Sequence, residues 1–267
     1  MRICTWNINS VRIRQELVER LLEEQQPDIL CLQEIKVVNE LFPHGLGEAL
    51  GYRHRLIHGQ KSYHGVAILS RLPFARAETR QWCNSSDSRH AWVSVKAKDG
   101  KALELHNFYV PSGGDIPDPK ENDKFADKLQ FLDEMADWFS SRRKKSNRFV
   151  LVGDLNVAPL ESDVWSHKQL LNVVSHTPVE VAALARVYES HGWVDAVRHF
   201  VPAEQKLFSW WSYRARDWAL SDRGRRLDHI WVTPALTGAL AAAQVLKPVR
   251  GWDTPSDHAP VIVDLNF

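Results

Sequence analysis

The ten residues PDILCLQEIK, numbers 27–36, contain the pattern that determines the fold of this chain. Pro27 and Asp28 end a helical segment, and Ile29 to Gln33 is a short apolar run typical of a buried strand. The carboxylate of Glu34 follows that strand directly. Because binding groups are usually displayed on loops held by a rigid scaffold, the stretch predicts an α/β fold with functional side chains at strand ends.

The same alternation of short strands and helices continues along the chain. Further apolar runs predict strands over Ile3 to Ile8, Gly65 to Ser70, Ala91 to Ala97, Leu103 to Val110, Phe149 to Val152, Leu227 to Thr233 and Val261 to Leu265. Helical periodicity predicts helices over Val11 to Gln26 (capped by Ser10), Lys120 to Arg143 and Val179 to Ser190. Since the sequence shows no internal repeat and no low-complexity linker, we expect a single domain over residues 1–267.

Composition and charge narrow the class of protein. The formal net charge of +1 lacks the strongly basic balance that is common in non-specific nucleic-acid binders. The 3 cysteines are widely spaced without a zinc or disulfide pattern, which favours a reducing compartment. The N-terminus has no apolar core of a signal peptide, and no apolar run approaches the roughly 18 residues of a membrane span. We therefore expect a cytoplasmic, monomeric protein that does not bind membranes.

Several of the predicted strands begin or end in polar side chains that suit a hard metal ion. Carboxylate and amide oxygens favour Mg²⁺ or Mn²⁺ over zinc. Such a site readily hydrolyses a phosphodiester, because the metal neutralises the phosphate oxygens while a carboxylate or a histidine activates water. The polar groups at these strand ends are Asn7, Glu34, Asn107, Tyr109, Asp154, Asn156, Asp228, Asp257 and His258.

Each of these groups, taken alone, also has a purely structural interpretation. Glu34 could be a charge at a sheet edge, and residues 153–156 could form an ordinary turn, since Gly, Asp and Asn are turn residues. Asp257 and His258 could cap a helix, and Asp228 could pair with a neighbouring arginine. The occurrence of all of them at strand ends in one chain favours a catalytic site.

A series of short motifs runs in order nearly from one end of the chain to the other. They are residues 27–36, Trp6-Asn7-Ile8-Asn9, His58-Gly59-Gln60-Lys61, Tyr109-Val110-Pro111, Gly153-Asp154-Leu155-Asn156, Phe208-Ser209-Trp210-Trp211, Arg226-Leu227-Asp228 and Ser256-Asp257-His258-Ala259-Pro260. Together they resemble the exonuclease III family of DNA-repair nucleases, also called the family 1 apurinic/apyrimidinic endonucleases. The resemblance implies a four-layer sandwich, in which two packed, mostly antiparallel sheets are flanked by helices.

The resemblance also implies a metal site. Glu34 would be the principal Mg²⁺ ligand, supported by Asn7 and Asp257, and Mn²⁺ could take the place of Mg²⁺. The wider set of metal-contacting residues would include Asp154, Asn156 and His258.

The catalytic roles implied by the resemblance divide among five residues. Asp154 would orient and deprotonate the attacking water, and Asn156 would hold the scissile phosphate. His258, oriented by Asp228, would bind the phosphate or stabilise charge in the transition state. Tyr109 would help to stabilise the leaving oxygen. A positioned acid–base group of this kind contributes about 10²- to 10⁴-fold in rate.

An aromatic pair followed by arginines fits a protein that reads damaged DNA. A ring of Trp210 or Trp211 could fill the gap left by a missing base, while Arg214 contacts a phosphate. The structural alternative is core packing, which accounts for many tryptophans. Lys36 and Arg89 are further candidate DNA contacts, and Lys36 is more typical of the DNA-repair branch than of its lipid-phosphatase or sphingomyelinase relatives.

The function implied is a Mg²⁺-dependent DNA-repair phosphodiesterase. It would incise double-stranded DNA 5′ to abasic sites and remove nucleotides or blocking groups from 3′ ends. Two alternatives stay open: the same site could act on a phosphoinositide, a sphingomyelin headgroup or RNA, or the protein could bind damaged DNA without catalysis. Departures from the family pattern at Ser112, Ala196 and Asp222 lie outside the catalytic set and leave the balance of activities undetermined.

Overall fold

The computed structural model describes residues 1–144 and 146–267. Its strands are β1 (Arg2–Asn7), β2 (Ile29–Gln33), β3 (His54–His58), β4 (Val66–Ser70), β5 (Phe74–Thr79), β6 (His90–Lys96), β7 (Ala102–Tyr109), β8 (Phe149–Asp154), β9 (Val194–Asp195), β10 (Trp210–Trp211), β11 (Gly224–Arg225), β12 (Asp228–Val232), β13 (Leu240–Val245) and β14 (Val261–Leu265). Its α-helices are α1 (Gln15–Gln25), α2 (Asp123–Ser141), α3 (His167–Leu170), α4 (Pro178–His191) and α5 (Trp218–Ser221). Short 3₁₀ helices cover Asn39–Leu41, Glu161–Asp163, Pro234–Ala239 and Lys247–Gly251.

Two six-stranded sheets form the centre of the fold. The first has the strand order β13-β14-β1-β2-β4-β3, and the second has the order β5-β6-β7-β8-β12-β9. Strands β1 and β2 pair in parallel, as do β7 and β8, whereas the neighbouring pairs around them are antiparallel. A further pair, β10 and β11, forms a small antiparallel ribbon. The predicted α/β sandwich of two mostly antiparallel sheets is confirmed.

The strands are apolar on both faces because each sheet is covered on both sides. Along β1 and β2, Ile3 and Ile29 point to the core between the sheets, while Cys4 and Leu30 point outwards to α1. The second sheet follows the same rule: its inner face meets the first sheet, and its outer face meets α2 and α4. The apolar cluster between this face and the two helices includes Phe108, Phe131, Met135, Phe139, Leu151, Leu184, Val187 and Trp231.

A pair of buried amides connects the two sheets. Gln33, at the end of β2, donates from Nε2 to Asn107 Oδ1 in β7 at 2.7 Å and to Thr5 Oγ1 at 2.8 Å. Asn107 in turn donates to the main-chain oxygens of Leu32 and Ala67, both at 3.0 Å. Both amides are fully buried. Asn107 is therefore a structural residue between the sheets, although it occurs at a strand end like the catalytic candidates.

Gly153 is required by the close pairing of β7 and β8. A Cβ atom at this position would lie 1.9 Å from the main-chain oxygen of Phe108, and the backbone φ is +136°. Only glycine permits both the approach and the dihedral angle without strain. The residue brings the chain into the Asp154 turn at the end of β8.

The structure corrects the predicted start of the first helix. Helix α1 begins at Gln15, and the backbone at Ser10 has a φ of +83°, which is not the extended geometry of a helix cap. Ile13, which is within the predicted helix, lies before the observed one and is 68% exposed. The cause is the neighbouring loop: the amide nitrogens of Ser10 and Val11 donate to the carbonyl oxygens of Glu34 and Ile35.

The other predicted helices and strands agree with the structure to within a few residues at their ends. Strands β3, β5 and β13 were not predicted, because their sequences lack a clean apolar alternation. All three lie at sheet edges, where only one side of the strand is hydrogen-bonded to a neighbouring strand. Their side chains are partly or fully exposed. Within residues 1–144 and 146–267, no helix is long and apolar enough to cross a membrane.

Candidate active site

The candidate residues converge at one end of the sandwich because of strand direction. Asn7 ends β1 and Glu34 follows β2, so the parallel pairing of these strands places both at the same sheet edge. Tyr109 and Asp154 end the parallel strands β7 and β8 of the second sheet, at matching register positions. Antiparallel partners contribute their first residues: Asp228 begins β12 opposite Asp154.

The amide of Asn7 lies between two carboxylates. Its Nδ2 donates to Glu34 Oε1 and to Asp154 Oδ2, both at 2.9 Å, and so joins the first sheet to the second. Its Oδ1 accepts from the main-chain nitrogen of Asn9 at 3.1 Å. The amide oxygen is thereby directed away from the carboxylates, so that Asn7 orients the two acids in this structure and does not itself offer an oxygen to a cation.

Glu34 is held as an ionised carboxylate. Tyr109 donates from its hydroxyl to Oε1 at 2.8 Å, and the Lys36 ammonium lies 2.8 Å from Oε2. Burial acts to raise the pKa of Glu34, but Lys36 and the Asn7 amide more than offset it and lower that pKa below its usual value. The backbone at Glu34 and Lys36 is left-handed, with φ of +50° and +53°. Such strain is typical of functional sites.

Asp154, His258 and Asp228 form a buried charged array. His258 Nδ1 lies 2.8 Å from Asp228 Oδ2, and its Nε2 lies 3.8 Å from Asp154 Oδ2. Ser209 donates to the same Asp228 oxygen at 2.6 Å. Arg226, two residues before Asp228, forms its ion pairs with Asp163 and Asp195 instead. Asp228 is therefore left to pair with the histidine.

In this array the pKa values of Asp154 and His258 are both raised. Burial, with a contribution from Asp228, raises the pKa of Asp154 to about 7. Burial alone would lower the pKa of His258, but the carboxylates of Asp228 and Asp154 raise it to about 10. Asp154 can therefore accept a proton near neutral pH, while His258 carries a positive charge.

This charge state bears on the predicted metal contact of His258. A ring nitrogen of His258 lies within 4.8 Å of carboxylate oxygens of Glu34 and Asp154, but an imidazole that keeps its proton has no free lone pair to give to a metal. With Nδ1 directed at Asp228, its remaining N–H is a donor that suits an anionic oxygen, such as that of a phosphate.

Asp257 is fixed by two side chains on opposite sides. The indole Nε1 of Trp210 donates to Oδ2 at 2.9 Å, and the amide of Asn9 donates to Oδ1 at 3.1 Å. Asn9 also accepts from Lys36 Nζ at 2.6 Å. Asn9 was named in a motif but was given no role, and its position two residues after Asn7 on the same loop was the signal that it belongs to the site.

The loop of Asn156 is supported from below by a buried ion pair that the sequence did not reveal. Asn156 donates from Nδ2 to the Val110 oxygen at 2.9 Å, and its backbone is left-handed at a φ of +54°. The ammonium of Lys128, in α2, donates to the Asn156 oxygen at 2.8 Å and to Glu180 of α4. Lys128 and Glu180 are both 0% exposed.

The acids at the centre of the site fit a hard divalent cation. Ligand atoms of Glu34, Asp154 and His258 lie within 4.8 Å of one another, and the two carboxylates offer oxygen donors. Asp257 adds a third, partly exposed carboxylate at the rim of the same cleft. The three carboxylates supply oxygen donors, which is the chemistry that Mg²⁺ and Mn²⁺ prefer.

A cleft of about 740 Å³ opens above these residues. Its floor includes Glu34, Tyr109, Asp154, Asn156 and His258, and its rim is basic and aromatic. The rim residues include Trp165, Trp210, Arg214, Arg223 and Arg225.

The five predicted DNA contacts are in different surroundings. Trp210 is half-buried and Arg214 is exposed, and both line the cleft. Lys36 reaches Glu34, as described above. Arg89 is only 8% exposed, and its guanidinium contacts Asp87 and the main-chain oxygen of Tyr109, so that it supports the Tyr109 strand end.

The structure does not support the predicted DNA contact by Trp211. This residue is 1% exposed, packs against Phe208 and Trp218, and donates from Nε1 to Asp222. It points to the opposite side of strand β10 from Trp210, because adjacent residues of a strand alternate between faces. Its ring is therefore part of the core and is not available to a DNA base.

Comparison with known proteins gives consistent matches over the full chain. Residues 4–258 match the model of the Endonuclease/Exonuclease/phosphatase family. The sequence is 31% identical over 268 residues to exodeoxyribonuclease III of Haemophilus influenzae, covering 98% of each chain. Two solved structures match over 100% of both chains at 29% identity: an AP endonuclease from Archaeoglobus fulgidus, with a TM-score of 0.91, and the 3′ phosphatase NExo from Neisseria bound to a product DNA hairpin, with a TM-score of 0.89.

Proposed function

The chain belongs to the Endonuclease/Exonuclease/phosphatase family, in the group that includes exodeoxyribonuclease III, and from this premise we propose that it is a DNA-repair enzyme that hydrolyses phosphodiesters. Its substrates are double-stranded DNA with abasic sites, cut on the 5′ side, and DNA 3′ ends that carry nucleotides or blocking groups. The names of its relatives support this substrate class, since they include an exodeoxyribonuclease, a 3′ phosphatase and an AP endonuclease.

The observation that carries the proposal is the buried array of Asp154, His258 and Asp228 beside Glu34. It combines a carboxylate that can accept a proton near pH 7 with an imidazolium that can bind an anionic oxygen. Hydrolysis of a phosphodiester needs both groups: a base for the attacking water and a donor for the charge that develops on the phosphate.

We propose the remaining roles from this geometry. Asp154 orients water and takes its proton, and His258, fixed by Asp228, donates a hydrogen bond to a non-bridging phosphate oxygen. The Tyr109 hydroxyl, which donates to Glu34 in this structure, would donate instead to the leaving oxygen. Burial and the nearby carboxylates raise the pKa of Tyr109 well above its ordinary value, so this hydroxyl remains a donor at neutral pH.

We propose Mg²⁺, with Mn²⁺ as a possible substitute, as the cation held by Glu34 with Asp257 and Asp154. When bound, such an ion supplies positive charge that neutralises the phosphate and the leaving oxygen. The support is the group of three carboxylates, Glu34, Asp154 and Asp257, that supply oxygen donors to one cleft.

The cleft also supports a polymeric substrate. Arg214, Arg223 and Arg225 surround it on one side, and Trp165 and Trp210 present aromatic surface beside them. Arginines contact phosphates while aromatic rings stack on bases or fill gaps. Residues from Asn7 to His258 build the site, which supports one catalytic domain over the whole chain. A DNA substrate and free thiols at Cys4, Cys31 and Cys83 support a cytoplasmic location.

The experiment that tests the proposal uses duplex DNA with one synthetic abasic site and, separately, a nicked duplex with a 3′-phosphate. With Mg²⁺ we expect incision 5′ to the abasic site and release of phosphate, each leaving a 3′-hydroxyl that a polymerase extends. EDTA or the Asp154→Asn substitution should abolish both. Cleavage of a phosphoinositide or of RNA at a higher kcat/KM than either DNA would replace the proposed substrate class.

A further inference from the structure

Arg225 lies across the apolar side of the catalytic cleft. Its guanidinium carbon is 5.4 Å from the ring centre of Trp210, its partner across the ribbon of β10 and β11. From Nη1 it donates to the main-chain oxygen of Val174 and to Ser175 Oγ, both at 2.8 Å. The side chain therefore joins the Trp210 ribbon to the loop of residues 173–175 and covers the space between them.

The space that Arg225 covers is next to the reacting groups. Trp210 forms a bridge with His258 and hydrogen-bonds to Asp257. Leu227, on the other wall, directly precedes Asp228. The apolar residues that pack together here are Ala158, Val164, Trp165, Leu170, Val173, Trp210 and Leu227. A group that enters this space would thus lie one residue away from the catalytic array.

The contacts of Arg225 differ from those of a structural arginine. Its neighbour Arg226 is fully paired with Asp163 and Asp195 in the core. Arg225 forms no ion pair with any carboxylate in residues 1–144 and 146–267, and its buried Nε has no partner there. A half-buried guanidinium without a carboxylate partner is costly to desolvate, so ion pairing does not explain the position of Arg225 beside the cleft.

The relatives indicate what such a residue could control. A 3′ phosphatase and an AP endonuclease share this fold at nearly the same similarity to this chain. Because one fold serves both reactions, the choice between them depends on side chains and not on the fold.

We propose that Arg225 is a specificity-determining residue that narrows the pocket beside the scissile phosphate and favours 3′-terminal phosphates over internal abasic sites. An abasic deoxyribose extruded from a duplex would need room beside Trp210, where the guanidinium lies. A terminal phosphate needs only the groups around Asp154 and His258. The inference rests on the proposed function, since it concerns the choice between two DNA substrates of the same site.

The test measures kcat/KM for an abasic duplex and for a 3′-phosphate nick, and takes their ratio. Arg225→Ala should raise the abasic-to-3′-phosphate ratio by about tenfold, the size expected when a pocket gains the space of a few atoms. Any general loss of DNA affinity cancels in the ratio. Arg225→Lys keeps the charge but is too short to hold Val174 and Ser175 together, and it should raise the ratio by a smaller factor.

Arg76→Ala provides the matched control. Arg76 also lies over a tryptophan from an adjacent strand, with its guanidinium carbon 5.1 Å from the Trp92 ring centre, but on strand β5 and outside the cleft. The abasic-to-3′-phosphate ratio of the Arg76→Ala variant should equal that of the unsubstituted protein. An unchanged or lower ratio in both Arg225 variants overturns the inference. If the unsubstituted protein cleaves neither DNA, the proposed function fails instead.

Discussion

Lys128 holds the main-chain oxygen of Asn156 at 2.8 Å from inside the protein, where the ammonium is fully buried. Its charge is balanced by Glu180, which also accepts hydrogen bonds from the main-chain nitrogens of Ser175 and Thr177. The pair thereby connects helices α2 and α4 to two loops that border the cleft. A buried residue thus sets the position of Asn156, the residue that the family resemblance implies would hold the scissile phosphate.

Replacing Lys128 should expose the cost of that pair. We expect Lys128→Met to lower the free energy of unfolding by about 3–5 kcal/mol, because it leaves the Glu180 carboxylate buried without its partner. Urea denaturation followed by circular dichroism measures the loss. The double variant Lys128→Met/Glu180→Gln should be more stable than the sum of the single losses predicts. Additive losses would show that the two side chains do not act as a pair.

The partnership of Asp228 and His258 should determine the alkaline limit of activity. In Asp228→Asn the imidazole loses the carboxylate that raises its pKa, so that pKa should fall from about 10 towards its ordinary value. Since the proposed mechanism requires the protonated ring, the alkaline limb of the pH–rate profile should move to lower pH, and kcat near pH 7 should fall by about 10²-fold. An alkaline limb in the same place would exclude His258 as the titrating group. Lys247→Ala, at an exposed ion pair with Asp222, is the control.

Cation binding should depend on pH through Asp154. This carboxyl has a pKa of about 7 in the folded protein without a cation, raised from its ordinary value. Between the two pKa values the folded state keeps a proton that the unfolded state has lost. The protonated carboxyl therefore stabilises the folded state at low pH, and this stabilisation is lost as pH rises through about 7. Mg²⁺ must displace that proton below pH 7 but not at pH 8. The Mg²⁺-induced rise in Tm should therefore be larger at pH 8 than at pH 6.

Thermal unfolding with and without Mg²⁺ at the two pH values checks this expectation. In Asp154→Asn the titrating group is gone, so the difference between pH 6 and pH 8 should shrink even if some binding by Glu34 remains. A Tm rise that is equal at both pH values in the unsubstituted protein would contradict the assignment of the titrating group to Asp154.

The two adjacent tryptophans should give opposite results when they are truncated. Trp211→Ala should lower the free energy of unfolding by about 3–5 kcal/mol, because it removes a ring that is 1% exposed. Trp210→Ala should reduce stability less and instead raise KM for abasic DNA, because this ring faces the cleft. Denaturation and steady-state kinetics on both variants separate the two effects. Equal effects on KM would show that both rings reach the DNA.

The sequence predicts that the candidate acids lie together because each of them follows an apolar strand. Glu34 and Asp154 follow buried runs, and parallel pairing brings such ends together whatever the details of the loops. The Trp210–Trp211 pair was ambiguous for a related reason. Adjacent strand residues point in opposite directions, and only the pairing of β10 with β11 determines which ring faces the cleft.

Lys128 and Arg225 could not be assigned from the sequence. A lysine in a long amphipathic helix such as α2 is normally on the solvent side, and its burial depends on a glutamate 52 residues away. Arg225 belongs to a basic run, Arg223 to Arg226, whose members have different surroundings: Arg223 stacks on Trp165 and Arg226 pairs with Asp163. The different surroundings of these arginines follow from the folded ribbon of β10 and β11 and not from the local sequence pattern.

The amide bridge between Gln33 and Asn107 sets the alignment of the two halves of the catalytic machinery. Gln33 precedes Glu34 by one residue and Asn107 precedes Tyr109 by two, so this hydrogen bond and those from Asn107 to the Leu32 and Ala67 oxygens tie the two strand ends together. Sliding one sheet against the other would break these directional bonds. The precision of the site therefore originates in polar contacts at its base, and not only in the loops that border the cleft.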